Sequence, residues 1–190
     1  MENNSATTAR KKSGVYSLTL ISLMAAVICV LSPLSVPLPF TPVPISLASL
    51  AIYFVVMLLG MKKGTISTLI YLLIGLVGVP VFAGFSGGAA VIAGPTGGYL
   101  VGYIFLALIA GWFVDKFEGK IPMYFVGMVL GTIVLYALGT AWLAHAAGMG
   151  FKAALFAGVI PYIPGDTAKM IIAVFAGETI RKRLKKANLI

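Results

Sequence analysis

Apolar residues run on along this chain without the three- and four-residue alternation that gives a soluble helix one dry face and one wet face. Residues 13–61, 64–114 and 121–151 are free of Asp, Glu, Lys and Arg, and residues 153–177 carry only Asp166 and Lys169. A helix needs about 20 residues to cross the hydrocarbon core of a bilayer, so each of the two longest stretches holds two crossings and a connection. Pro33, Pro37, Pro39, Pro42 and Pro44 mark the first connection, because proline cannot continue a helix. Pro80 and Pro95, with Gly84, Gly87, Gly88, Gly97 and Gly98, mark the second. The pattern predicts an all-α membrane protein with six transmembrane helices near 14–32, 45–61, 64–78, 98–115, 121–144 and 164–183. A glycine-rich external loop over 79–97, a disordered tail over 1–12, one membrane domain over 13–184 and a basic tail over 185–190 complete the expectation.

Composition agrees with a lipid environment: 60% of residues are hydrophobic and 10% charged, against roughly a quarter charged in soluble domains. The net charge of +9 does not point to nucleic acid, because the bases sit in short clusters between apolar runs. With six crossings, all 14 basic residues except Lys152 and Lys169 fall on one side. The positive-inside rule makes that side, with both termini, cytoplasmic. Cys29 stands alone, which excludes a disulfide framework.

The chemistry of an enzyme is largely missing. There is no Gly-x-x-x-x-Gly-Lys-Ser/Thr loop for nucleotide phosphates, no His-Glu-x-x-His, and His145 is the single histidine. Asp166 and Lys169 are the exception, since a charge at mid-membrane costs at least ~2.5–3.5 kcal/mol and must be paired or face a polar cavity. Three residues apart, they share a helix face. That spacing allows an internal ion pair, and its place at the outer start of the last helix favours an acceptor and a cation meeting a solute that enters from outside. The loop ending Gly94-Pro-Thr-Gly-Gly-Tyr99 serves either close helix packing or close backbone approach to a ligand, with Thr96 and Tyr99 adding donors. Phe82, Phe85, Tyr99, Tyr103 and Tyr162 are candidate walls. On helix one, Ser22 with Ala26 and Ala25 with Cys29, each four apart, make a stripe of small residues for a second helix.

Four segments resemble a known family in order and spacing. Pro42-Val-Pro-Ile-Ser46, Gly78-Val-Pro-Val-Phe-Ala-Gly84, Gly94-Pro-Thr-Gly-Gly-Tyr99 and Pro164-Gly-Asp-Thr-Ala-Lys169 are similar to motifs of the biotin-specific S components of energy-coupling factor (ECF) transporters, the BioY family. The likeness runs from about residue 15 to 183. It implies a non-enzymatic capture subunit in a prokaryotic cell membrane that binds biotin and has no cofactor of its own. A transmembrane T component and two cytoplasmic ATPases, the only users of ATP, would drive it to topple and release the vitamin inside.

By the same resemblance Asp166 would accept the ureido N–H groups and Lys169 would meet the valerate carboxylate. Gly87, Gly88, Thr96 and Tyr99 would enclose the ring system, Ser46 would line the pocket and Phe85 would join its wall. Ser22, Ala25, Ala26 and Cys29 would face the T component, with Ser22 in place of the usual first alanine. Ala48 stands where many relatives carry glutamine. An S component for another small vitamin and a self-sufficient proton-coupled carrier are the alternatives, the latter with Asp166 as its titrating group.

Overall fold

A computed structural model of the chain describes residues 2–187, with side chains from residue 14 onward. The backbone over 2–12, expected as a disordered tail, is helical and belongs to α1; the side chains of that segment, and residues 188–190 of the basic tail, lie outside what is described. In order come α1 (Glu2–Leu31), β1 (Ser35–Leu38), β2 (Thr41–Ser46), α2 (Ala48–Leu76), α3 (Ala89–Ala93), α4 (Gly97–Lys116), α5 (Ile121–Ala146) and α6 (Phe151–Gly158). A 3-10 turn, Ile160–Tyr162, then leads into α7 (Ile163–Lys186).

Among the described residues, five stretches are long and apolar enough to cross a membrane: Gly14–Leu31, Ala48–Leu76, Gly97–Lys116, Ile121–Ala146 and Phe151–Lys186. The second folds back on itself. Gly60 has φ 73° and ψ −167°, which no helix accommodates, and a Cβ placed on Gly64 would lie 3.1 Å from the Val56 Cα. Residues eight apart in a straight helix are about 12 Å apart along the axis, so the chain has reversed and α2 is a helical hairpin that crosses twice. The helices expected over 45–61 and 64–78 are its two arms.

Asp115, at the end of α4, secures the reversal by accepting the Met61 N–H at 2.8 Å. A Cβ on Gly60 would collide with that same carboxylate. The combination of φ and ψ at Gly60 is essentially reserved to glycine, so Gly60→Ala incurs about 1–3 kcal/mol of backbone strain on top of the collision. A lowered melting temperature of the purified protein in detergent is the expected result.

The proline-rich connection is not a bare loop. Pro39 falls at the turn of an antiparallel hairpin, Pro37 in β1 at a break in the ladder, and Pro42 and Pro44 in β2; Ser35 pairs with Ser46, Val36 with Ile45 and Leu38 with Thr41. Strand geometry, unlike helix geometry, tolerates proline at an edge. Residues 45 and 46, expected in a helix, thus belong to β2. The segment over 79–97 likewise holds more order than a loop, with an isolated bridge between Phe82 and Ser86 and the short α3.

Glycines set the helix packing. α4 lies antiparallel along α5, where Gly98 meets Trp142, Gly102 meets Leu135, Leu106 meets Gly131 and Phe113 meets Gly127. Without side chains at these points the two backbones approach closely, which is how helices gain dispersion contacts where lipid removes the hydrophobic drive. α7 runs parallel to the first arm of α2, from Lys169 beside Ser49 to Gly177 against Met57. Both helices lead from the hairpin end of the molecule to the end that carries Lys62, Lys63, Lys116 and Lys120.

Candidate functional site

Two adjoining cavities open beneath the β-hairpin, sharing Val43, Pro44, Ser46, Tyr99 and Tyr103 in their walls. The outer one, about 240 Å³, reaches Ser32, Tyr71, Phe82, Ser86 and Thr96. The inner one, about 50 Å³, ends on Ser49, Tyr136, Tyr162, Asp166 and Lys169. Local sequence explains the framework. Pro164 opens α7, a position where its missing N–H costs nothing, and so places Asp166 and Lys169 in the first two turns.

Asp166 is 6% and Lys169 9% exposed, and the two form an ion pair at 2.8 Å. Lys169 donates to Asp166 Oδ1, to the Ser49 hydroxyl at 3.1 Å and to the Ser46 carbonyl at 2.7 Å. An ammonium has three donors, so all of them are occupied. Ser49 donates to Asp166 Oδ1 at 3.2 Å, and Tyr136 donates to Oδ2 at 2.6 Å. A carboxylate offers about four acceptor positions; the one still open is on Oδ2. The pair is both things the sequence allowed, an internal ion pair and the end wall of a polar cavity.

Of the residues expected in the site, Ser46, Tyr99, Asp166 and Lys169 meet at the inner cavity, and Thr96 lines the outer one. Tyr99 donates to the Gly158 carbonyl at 3.1 Å, and a side chain at Gly158 would collide with the Tyr99 hydroxyl. Phe82, Tyr103 and Tyr162 are walls as expected. Phe85, Gly87 and Gly88 line neither cavity. Phe85 is 66% exposed, at a turn with φ 56°. Gly87 is a packing glycine, where a Cβ would strike the Val79 carbonyl. Gly88, at φ 95°, caps α3 and donates to the Gly75 carbonyl at 2.7 Å.

Lys169, expected to meet a carboxylate, has no free donor for one. Ser49 and Tyr136 were not singled out from sequence, although each left a signal. Ser49 lies one turn beyond Ser46, and Tyr136 puts a hydroxyl into an apolar helix, where it must find a partner.

The small-residue stripe on α1 divides. Ala25 is 2% exposed and packs inward, Cys29 is half-buried, and Ser22 and Ala26 are exposed. Only the last two stay available to another helix, since a spacing of four cannot by itself distinguish the packed side from the free one.

Membrane-crossing helices around a hairpin-capped cavity that ends on a buried ion pair are the architecture of a multi-pass solute-capture protein. The family model described as "BioY family" matches residues 2–186. "Biotin transporter BioY" of Rhizobium etli is 38% identical, covering 86% of this chain and 91% of that protein. "Biotin transporter BioY2" of Lactococcus lactis is 34% identical, covering 92% of this chain and 94% of the relative. A crystal structure of the S-component for biotin from an ECF-type ABC transporter superposes with a TM-score of 0.84 at 33% identity, over 90% of this chain and 93% of the other. The chain belongs to the BioY family and has the S-component fold.

Proposed function

We propose that this protein is the biotin-capture subunit of an ECF-type uptake transporter, a binding protein and not an enzyme. The observation that carries the reading is the Asp166–Lys169 pair, buried at the end of a cavity beneath the hairpin. The ureido and carboxylate groups lie at opposite ends of biotin, whereas the two side chains are 2.8 Å apart, so the pair attends to one end of the ligand. In this reading a ureido N–H takes the open position on Asp166 Oδ2. Lys169 holds and neutralises that carboxylate, and the valerate chain points into the outer cavity towards Thr96.

The hairpin end is extracellular, and the basic end, with both termini, is cytoplasmic. Support comes from the charge distribution, since Lys62, Lys63, Lys116, Lys120 and the bases of the α7 end all lie opposite the cavity. A transmembrane T component and two cytoplasmic ATPases supply the energy, with Ser22 and Ala26 on the exposed face of α1 meeting the T component.

Equilibrium binding of labelled biotin to the purified protein tests the capture role, and uptake by cells with and without the ATPases tests the coupling. Saturable binding, with concentrative uptake only in the presence of the ATPases, is expected. Preference for another vitamin overturns the assignment to biotin, and accumulation driven by a proton gradient alone overturns the partner module.

A further inference from the structure

Almost every hydrogen-bond donor in the wall of the inner cavity is already spent. Lys169 uses all three N–H groups. Ser49 and Tyr136 give their protons to Asp166, Tyr99 to the Gly158 carbonyl and Tyr162 to the Val43 carbonyl. Ser46 donates to the Ser32 carbonyl at 2.8 Å. Tyr103 alone among the hydroxyls of that wall has no partner among the described residues, and it stands where the two cavities meet.

A ureido group presents a carbonyl oxygen beside its N–H donors. If the N–H meets Asp166, that oxygen comes to rest within the same small cavity. A carbonyl buried there without a donor would lose much of what the N–H contact gains. From this we infer that Tyr103 is a specificity-determining residue, whose hydroxyl donates to the carbonyl oxygen of the bound ureido group. The inference rests on the biotin reading above.

Thr96, the other hydroxyl of the cavity walls without a partner among the described residues, lies two turns away on the same side of α4. That is about 10.5 Å along the axis, so the helix presents two donors spaced for a ligand polar at both ends. A ligand that has N–H groups but a poor acceptor in place of the carbonyl would satisfy Asp166 and fail at Tyr103.

The test compares biotin with its thiocarbonyl analogue, which keeps both N–H groups and shape but accepts hydrogen bonds weakly. Tyr103→Phe should weaken biotin binding about tenfold and leave the analogue within about twofold, so that the variant barely distinguishes the two. Unchanged biotin affinity, or equal losses for both ligands, overturns the inference while leaving the biotin reading intact. Failure of the wild-type protein to bind biotin overturns that reading and this inference with it.

A second measurement covers the case in which the phenylalanine variant does not fold. Replacing Tyr103 by 3-fluorotyrosine keeps the ring and strengthens the donor. The infrared stretch of carbon-13-labelled ureido carbonyl in bound biotin should then fall below its wild-type value. A stretch indifferent to the fluorine overturns the inference.

Discussion

Lys169→Met is expected to destabilise the protein by about 3–5 kcal/mol, because it strands the Asp166 carboxylate in a site that water hardly reaches. The side chains of the pair are 11% and 8% exposed, so solvent screens little of that penalty. Asp166→Asn should do comparable harm from the other side, leaving an ammonium with only the Ser46 carbonyl, the Ser49 hydroxyl and an amide oxygen. It should also weaken biotin binding by roughly 10–100-fold through loss of a charge-assisted contact.

The double variant separates the two effects. With both charges removed no uncompensated ion remains, and replacing a buried pair together is often neutral. Thermal stability in detergent should return to near the wild-type value while biotin affinity stays low. A double variant that binds biotin like the wild type would deprive the pair of its role in recognition.

Arg181→Ala is the second large effect, at the opposite end of α7. Arg181 is 8% exposed. It donates to the Met57 carbonyl at 2.9 Å and pairs with Asp115 at 3.7 Å. The reversal of α2 at Gly60 removes that carbonyl from the ordinary helical ladder, so the guanidinium supplies what the helix cannot. Losing it leaves a buried acceptor unpaired, at a cost of about 1–3 kcal/mol, together with the packing of the arginine stem.

Arg181→Lys should recover only part of this, since an ammonium lacks the planar fork that meets a carbonyl and a carboxylate at once. Melting temperature should fall in the order wild type, lysine, alanine. Biotin affinity should stay within about twofold, because Arg181 lies more than three turns from Lys169.

Much of this arrangement could be read from the residues. Long uncharged stretches and the one-sided distribution of lysine and arginine reveal the crossings, since the cost of charge in lipid acts on each residue locally. Asp166 and Lys169 declared themselves for the same reason. The β-hairpin did not, because five closely spaced prolines forbid a helix without saying which extended structure replaces it. The placement of Gly87 and Gly88 outside both cavities was not legible, because a glycine serves equally for a ligand, a turn or a close contact. At Gly87 the Val79 carbonyl decides the matter, and no local pattern encodes that neighbour. Tyr136 was hidden differently: which tyrosine of a helix reaches a carboxylate depends on the rotation of α5, which is set by glycines elsewhere along it.

The β-hairpin is also protected against one kind of misassembly. A two-stranded ribbon ordinarily offers outward N–H and C=O groups on which a further strand can nucleate. Pro42 and Pro44 withhold two donors from β2, and Tyr162 and Lys169 occupy the carbonyls of Val43 and Ser46. With donors missing and acceptors taken, that margin is a poor template for strand addition. Neighbouring copies crowded in a bilayer should therefore not polymerise through it.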